Sequence, residues 1–143
     1  MEAPILAPAA VLVLWTLIIM FWMAITRFRA FSQAGIDLAA ADPGARYAEI
    51  EPQLPPSVNW KSHNYTHLLE QPTLFYGVVA ILALAGQGDG LNATLAWGYV
   101  MLRVVHSLWQ CLVNKVPVRF GIFLLSSLLL LALAINAVRA TLI

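Results

Sequence analysis

Charged residues are scarce in this sequence: they make up 10% of its 143 residues, where an ordinary soluble domain carries roughly a quarter. Hydrophobic residues make up 61%. A soluble fold has no means of hiding so much apolar surface, and the apolar residues form long runs instead of the one-sided stripe of a water-soluble helix. The sequence therefore predicts a protein whose solvent is the lipid bilayer.

Cysteine is nearly absent, since Cys111 is the only one. A single cysteine excludes an internal disulfide and a CxxC redox pair, and therefore argues against a thiol oxidoreductase. The net charge is +1 and the basic residues are spread thinly, so no nucleic-acid partner is expected. The basic start of a signal peptide is also missing, because Arg27 and Arg29 follow the first apolar stretch. We expect this stretch to be retained as a helix.

Four apolar stretches are long enough to cross a hydrocarbon core about 30 Å thick, which takes roughly 20 helical residues. They lie near residues 5–26, 65–86, 92–113 and 119–142. The connections 87–91 and 114–118 are short, so the helices that they join must run antiparallel. We predict an all-α membrane protein in which residues 1–143 form a single domain, a four-transmembrane-helix up-down bundle.

One long connection covers residues 27–64 and contains the turn-forming segments 42–44 and 52–56. Most of the basic residues lie in this first connection, or in or next to the third connection, 114–118: Arg27, Arg29, Arg46, Lys61, Lys115 and Arg119. Because positive residues are retained on the cytoplasmic side of a membrane, both connections are predicted to be cytoplasmic. Both chain termini are then expected to face away from the cytoplasm.

Polar residues recur on one face of two of these helices. In the second helix His67 and Glu70 are three residues apart, and in the third helix Arg103, His106 and Gln110 lie at i, i+3 and i+7. Arg103 lies near mid-membrane, where a charge costs roughly 3 kcal/mol. We therefore expect it to face the bundle interior and to pair with Glu70.

Several interpretations of these residues remain open at this point. Glu70 and Arg103 could form an ion pair that only fixes helix packing. Alternatively, arginines in a cleft of low dielectric could bind a small anion, with Arg119 at the mouth of the cleft. A metal site is a weaker third option, because its four candidate ligands form a pattern that is common by chance: His63, His67, Glu70 and His106. A proton-coupled exporter is disfavoured, since the first helix has no interior acidic residue.

Three short motifs resemble the MAPEG family of membrane-associated proteins in eicosanoid and glutathione metabolism, its bacterial members above all. They are His67-Leu-Leu-Glu70-Gln71-Pro72, Arg103-Val-Val-His106-Ser and Asn114-Lys-Val-Pro117-Val-Arg119-Phe-Gly. The resemblance implies a homotrimer in the bacterial inner membrane, with glutathione bound as a co-substrate between adjacent subunits toward the cytoplasmic side. A hydrophobic small molecule or a lipid would enter from the membrane. The implied activity is that of a glutathione transferase or peroxidase acting on hydrophobic electrophiles or lipid peroxides.

The resemblance also implies roles for individual residues. Arg119 matches the arginine that stabilises the glutathione thiolate, and it is the candidate catalytic residue. The candidate glutathione-binding residues are Arg27, His67, Glu70, Arg103, His106 and Gln110. Such a role is physically reasonable, because a free thiol with a pKa near 8.5 becomes a good nucleophile when a cation favours its thiolate. No metal ligand is assigned.

The sequence departs from the family pattern at three positions in or near these motifs. His67 stands where the family usually has an asparagine, Gln110 where many members have a tyrosine, and Phe123 where some relatives have a tyrosine that can hydrogen-bond. A mechanism assisted by a hydroxyl group is therefore not expected. The alternative function is that of a non-catalytic membrane scaffold, or of a lipid or small-ligand binder, with the same fold.

Overall fold

Long apolar runs become long helices in the computed structural model, which describes residues 3–142. All regular structure within these residues is helical. The α-helices are α1 (Leu6–Ala34), α2 (Tyr47–Ile50), α3 (Pro56–Glu70), α4 (Pro72–Leu84), α5 (Gly90–Leu112) and α6 (Val116–Leu142). Short 3-10 turns at Leu38–Ala40 and Glu51–Gln53 lie on either side of α2.

Three helical segments of the described chain are long and apolar enough to cross a membrane: α1, the consecutive α3 and α4, and α6. Their outer faces carry large apolar side chains, such as those of Leu14, Phe21 and Leu131, which are 59%, 62% and 55% exposed. A surface of this kind is stable in lipid and not in water. The chain is therefore an all-α integral membrane protein. Helix α5 is less apolar because of the polar residues on its buried face, and the fourth span stays a prediction.

Helix α5 buries one face in the bundle, while Met101 and Leu112 on its other face are both 59% exposed. It packs along α6 and also contacts α1 and α3, while α4 contacts α6. The core between the helices is closely filled by side chains with no exposed surface, among them Leu12, Phe75, Tyr99 and Leu133. Lipid tails are as apolar as these side chains, so the hydrophobic effect does not drive the helices together in a membrane. Close contact between the packed side chains holds them together instead. These contacts turn the polar face of α5 into the bundle.

Helix α1 continues past its predicted end at residue 26. Its last turns pack Phe31 against Leu54 in a small second core outside the main one. The helix ends where Gly35 adopts a left-handed φ of 68° and the N–H of Ile36 bonds to the carbonyl of Phe31 at 3.0 Å. This is the Schellman arrangement that glycine favours. The predicted end was wrong because a contact distant in sequence keeps the last turns helical.

The second predicted helix begins earlier than expected, at Pro56 instead of residue 65. Proline is favoured in the first helical turn, where its missing N–H costs nothing. The same residue type separates α3 from α4, because Pro72 lacks the N–H that would continue the ladder. The predicted loop 27–64 is thus wrong at both ends and shrinks to residues 35–55. The bounds of α5 and α6 differ from the prediction by at most three residues.

The connection 35–55 folds back onto α1 and α3. The hydroxyl of Tyr47 donates to Asn59 Oδ1 at 2.6 Å, and Asn59 Nδ2 donates to the carbonyl of Glu51 at 3.0 Å. The guanidinium carbon of Arg27 lies 3.5 Å from the ring centroid of Tyr47, which is a cation–π contact. Burial raises the pKa of Tyr47, although Arg27 opposes the shift. The phenol is therefore protonated, and a hydrogen-bond donor, at neutral pH.

We expect Tyr47→Phe to loosen this connection without unfolding the bundle. The lost hydrogen bond is worth about 1 kcal/mol, which corresponds to a roughly fivefold rise in the locally open population. Limited trypsin digestion of the protein in lipid nanodiscs measures it as faster cleavage after Arg46. Tyr65→Phe is the matched control, because the Tyr65 hydroxyl has no hydrogen-bond partner among the described residues, 3–142. Equal cleavage rates for the two variants would contradict this account of the connection.

Candidate functional site

The polar face of α5 meets α3 and α6 at one cavity of about 180 Å³. Its lining comes from three helices: His67, His106, Val116, Arg119, Phe120 and Phe123. The ring centroids of His67 and His106 are 5.0 Å apart, and that of Phe123 is 5.3 Å from His67. The structure thus brings together three of the residues singled out from the sequence: His67, His106 and Arg119. We call this space the histidine–arginine cavity.

Arg103 has no exposed surface and is the largest fully buried side chain of the described chain. Its Nη2 donates to the carbonyl of His67 at 3.3 Å, whereas its Nε and Nη1 have no partner among residues 3–142. The aromatic ring of Phe123 lies 5.8 Å from its guanidinium carbon. A cation buried in this way is costly unless an anion pairs with it. Arg103 is therefore incompletely satisfied within the described chain.

The predicted ion pair between Arg103 and Glu70 is not present within 4 Å. Glu70 is 64% exposed and turns away from the interior. Its Oε2 instead lies 3.2 Å from Nδ1 of His67, one helical turn earlier. The pairing was wrong because a spacing of three residues places two side chains on one helix face without fixing which neighbouring helix they meet.

Arg119 is held at the cavity by Asn114. Its Nη1 donates to Asn114 Oδ1 at 2.6 Å. Asn114 also forms the turn between α5 and α6 with a left-handed φ of 55°, a conformation that asparagine tolerates better than most residues. This contact was not predicted from the sequence. The sequence feature that could have indicated it is an asparagine just after the third predicted helix, five residues before the candidate catalytic arginine.

Polar contacts continue from this region into the bundle. The Tyr99 hydroxyl donates to Gln71 Oε1 at 3.2 Å, and Gln71 Nε2 donates to Ser127 Oγ at 2.8 Å. Asn64 Nδ2 donates to Ser107 Oγ. These contacts between helices were not predicted from the sequence, because hydroxyl and amide side chains inside a membrane helix most often bond within it.

Several buried polar atoms of α3 and α5 have no hydrogen-bond partner within residues 3–142. Besides the two nitrogens of Arg103 they are Asn64 Oδ1, His106 Nδ1 and Gln110 Oε1. Buried polar atoms of native proteins are nearly always satisfied by protein, water or a ligand. Five of the seven such atoms in residues 3–142 lie on α3 and α5, two of the three helices that line the cavity, and the other two, Trp15 Nε1 and Arg27 Nε, lie on α1. The region around the cavity is therefore where polar groups from outside the described chain would be accommodated best.

Four of the residues singled out from the sequence do not line the histidine–arginine cavity: Arg27, Glu70, Arg103 and Gln110. Arg27 donates from Nη2 to Ser62 Oγ at 2.7 Å and packs on Tyr47. Gln110 is buried within the bundle, 5% exposed. In the single chain, therefore, Arg27 anchors the connection 35–55 to α1 and α3.

The metal alternative finds no support in the arrangement of its residues. His63 pairs with Glu51 of the connection instead of converging with His67. Within residues 3–142 no three histidine, cysteine, aspartate or glutamate side chains come together as a metal ion would require.

Comparison with known protein families matches residues 5–139 to the MAPEG family. The match covers nearly the whole chain, including all three polar motifs. The chain belongs to the MAPEG family. Neither the curated proteins nor the solved structures give a match. Membership in the MAPEG family places the chain among the membrane proteins of glutathione or eicosanoid metabolism.

The histidine–arginine cavity of this MAPEG protein suits an anion. Arg119 lines it, Arg103 lies behind it, and no acidic side chain is part of its lining within residues 3–142. In surroundings of low dielectric, fixed cations of this kind act more strongly than in water. The site can therefore stabilise both a bound carboxylate and a negative charge that develops during a reaction.

Proposed function

We propose that this MAPEG protein binds glutathione at the histidine–arginine cavity and uses it as a co-substrate. The product would be a glutathione conjugate of a hydrophobic electrophile or a reduced lipid peroxide. The observation that carries the proposal is Arg103, a fully buried cation with two nitrogens that have no partner among residues 3–142; its guanidinium lies 5.8 Å from the ring of Phe123, which lines a cavity together with Arg119.

The chemistry of glutathione matches the side chains at this cavity. Its two carboxylates suit charge-assisted hydrogen bonds with a guanidinium such as that of Arg103. Its ammonium group suits the outward carboxylate of Glu70, which has one oxygen beyond the contact with His67. Arg119 would stabilise the thiolate: a shift of two pKa units in the bound thiol needs about 2.7 kcal/mol. One desolvated cation supplies an effect of this size.

The size of the cavity supports a site shared between subunits. Small-molecule sites usually have about 300–1,000 Å³, whereas the cavity of one chain has about 180 Å³. We therefore propose a homotrimer in which a neighbouring chain completes the site, with Arg27 and Gln110 near the tripeptide. An apolar groove of about 550 Å³ between α4 and α6, which includes Gly77 and Ser127, would face a lipid or a hydrophobic substrate.

The distribution of basic residues supports an orientation. We propose the bacterial inner membrane, with the connection 35–55 and the turn at Asn114 on the cytoplasmic side and both termini away from it. Glutathione would then reach the histidine–arginine cavity from the cytoplasm.

Equilibrium binding of glutathione to the purified protein in lipid nanodiscs tests the proposal. We expect saturable binding by the wild-type protein. Arg139→Ala, which removes an exposed arginine at the other end of α6, should bind equally well. Absence of saturable binding to the folded protein would contradict the proposed function.

Asn114 provides a further test, because its side chain can be removed without changing the turn. Asn114→Gly keeps the left-handed backbone but removes the acceptor that holds Arg119. Because that contact is worth about 1 kcal/mol, the variant should slow conjugation of a chlorodinitrobenzene electrophile about fivefold. Asn114→Asp keeps an acceptor oxygen and should stay near the wild-type rate. Equal losses in both variants would show that the contact with Arg119 is not what matters.

The second candidate is a non-catalytic membrane scaffold, or a binder of lipid or small ligands, with the same fold. Phe123 favours it, because this ring forms part of the cavity wall where a hydroxyl could otherwise assist the thiol. Saturable ligand binding without turnover of hydrophobic electrophiles or lipid peroxides would identify this second function.

A further inference from the structure

The histidine–arginine cavity contains a group that anion binding by arginines does not use, an imidazole held by a carboxylate. We propose that His67 is the general base that accepts the thiol proton of glutathione, and that Glu70 is its positioning residue. The inference rests on the proposed function, because it needs glutathione in the cavity.

The contact between His67 and Glu70 sets which nitrogen can act as the base. Glu70 Oε2 lies 3.2 Å from His67 Nδ1, and an ionised carboxylate is only an acceptor, so Nδ1 carries the hydrogen. Nε2 then has a free electron pair. The carboxylate also stabilises the imidazolium that forms when Nε2 takes up a proton. In many enzymes a nucleophile is activated by such a base, which a neighbouring carboxylate holds in the correct orientation.

Arg119 lies in the same cavity as His67 and would hold the sulfur after the proton has left. In the proposed step the S–H bond of glutathione breaks, its electron pair stays on sulfur, and an N–H bond forms at Nε2 of His67. Nothing is oxidised or reduced. The proton then passes from the imidazolium to water at the outer edge, where the His67 side chain is 24% exposed and Glu70 is 64% exposed.

The second histidine of the cavity is less suited to this role. His106 is 1% exposed and its Nδ1 is buried without a partner in the described chain. Among residues 3–142 no carboxylate contacts His106 to fix its tautomer or to balance a positive charge on its ring. His67 and His106 therefore differ in one decisive contact, the one with Glu70.

The groups that face His67 explain why Glu70 is needed. They are Glu70 on its own helix, Arg103 and His106 on α5, and Arg119 on α6. The two arginines favour a thiolate but oppose a second cation on the imidazole. Glu70 is the anion among these four groups, and its attraction for the imidazolium offsets the repulsion by the two arginines.

Stopped-flow measurement of thiolate absorbance, after mixing full-length protein in nanodiscs with saturating glutathione over a range of pH, tests the role of His67. His67→Asn should keep the Kd for glutathione within about threefold, because an amide replaces the ring as a polar contact. Thiolate formation should slow about 100-fold, the lower end of the usual contribution of general acid–base groups. Added imidazole should restore the rate of His67→Gly in proportion to its concentration. His63→Asn, the same change one turn earlier on α3, should leave the rate unaltered.

The positioning role of Glu70 needs its own readout. Glu70→Gln should slow thiolate formation about tenfold at saturating glutathione and change its pH profile, and Glu70→Asp should recover most of the rate. A purely structural role would not produce this rescue.

Each outcome decides a different point. If His67→Asn forms thiolate at the wild-type rate and imidazole has no effect on His67→Gly, the inference is wrong while glutathione binding stands. If the wild-type protein does not bind glutathione, the proposed function and the inference fail together.

Discussion

Arg119→Ala protein is expected to bind glutathione but to hold it almost entirely as the neutral thiol at pH 7. With the cation gone, the bound thiol should return toward a pKa of about 8.5, at which about 3% is ionised at pH 7. The thiolate absorbance of saturated protein measures this fraction directly. The rate of conjugation should fall in parallel, because the thiolate is the nucleophile.

Two variants control this experiment. Arg139→Ala removes an arginine from the last turn of the same helix and should not change the thiolate signal. Arg119→Lys keeps a positive charge and should recover part of the signal, although an ammonium lacks the fork of donors that reaches Asn114 Oδ1 and the sulfur together. An unchanged thiolate signal in Arg119→Ala would show that a group other than Arg119 stabilises the thiolate.

Arg103→Met should make the empty protein more stable and the glutathione complex much weaker. A buried cation with two nitrogens that have no partner among residues 3–142 costs free energy in the empty protein, and apolar replacement of buried charged groups is neutral or stabilising by about 1–4 kcal/mol. Truncating a buried charge that pairs with a ligand costs about 2–5 kcal/mol of binding. We therefore expect Kd to rise at least about 30-fold.

Thermal unfolding with and without glutathione measures both effects of Arg103→Met in one experiment. The variant should have the higher Tm in the empty state, and the wild type should gain more Tm when glutathione is added. Leu133→Met is the control: it changes another fully buried side chain at nearly constant volume and should leave the response to glutathione unchanged. A lower Tm for empty Arg103→Met would mean that Arg103 serves packing alone.

The main features of the fold could be predicted from the sequence because long apolar runs have few alternatives to helices in lipid. The ends of the helices depend on contacts that no local pattern contains. Phe31 packs against Leu54, and Gly35 closes the helix beyond them. Pro56 looked like part of a turn, yet it begins a helix because the residues that follow it pack on α1.

The candidate site was predictable to a similar extent. The spacing of Arg103 and His106 on α5 placed both in the interior, since a polar face inside a membrane must turn inward. The partners of these residues were not predictable, because they depend on helix rotation. Glu70 turns outward to His67 instead of meeting Arg103. Arg27 meets Tyr47, a residue brought to it by the fold of the connection.

Titration of the wild-type protein in nanodiscs with glutathione at pH 7, followed by thiolate absorbance, tests the central claim most directly. The account predicts a thiolate signal that rises with bound glutathione and saturates with it, and that S-methylglutathione, which has no thiol proton, does not produce. A folded protein that shows no saturable thiolate signal would contradict it.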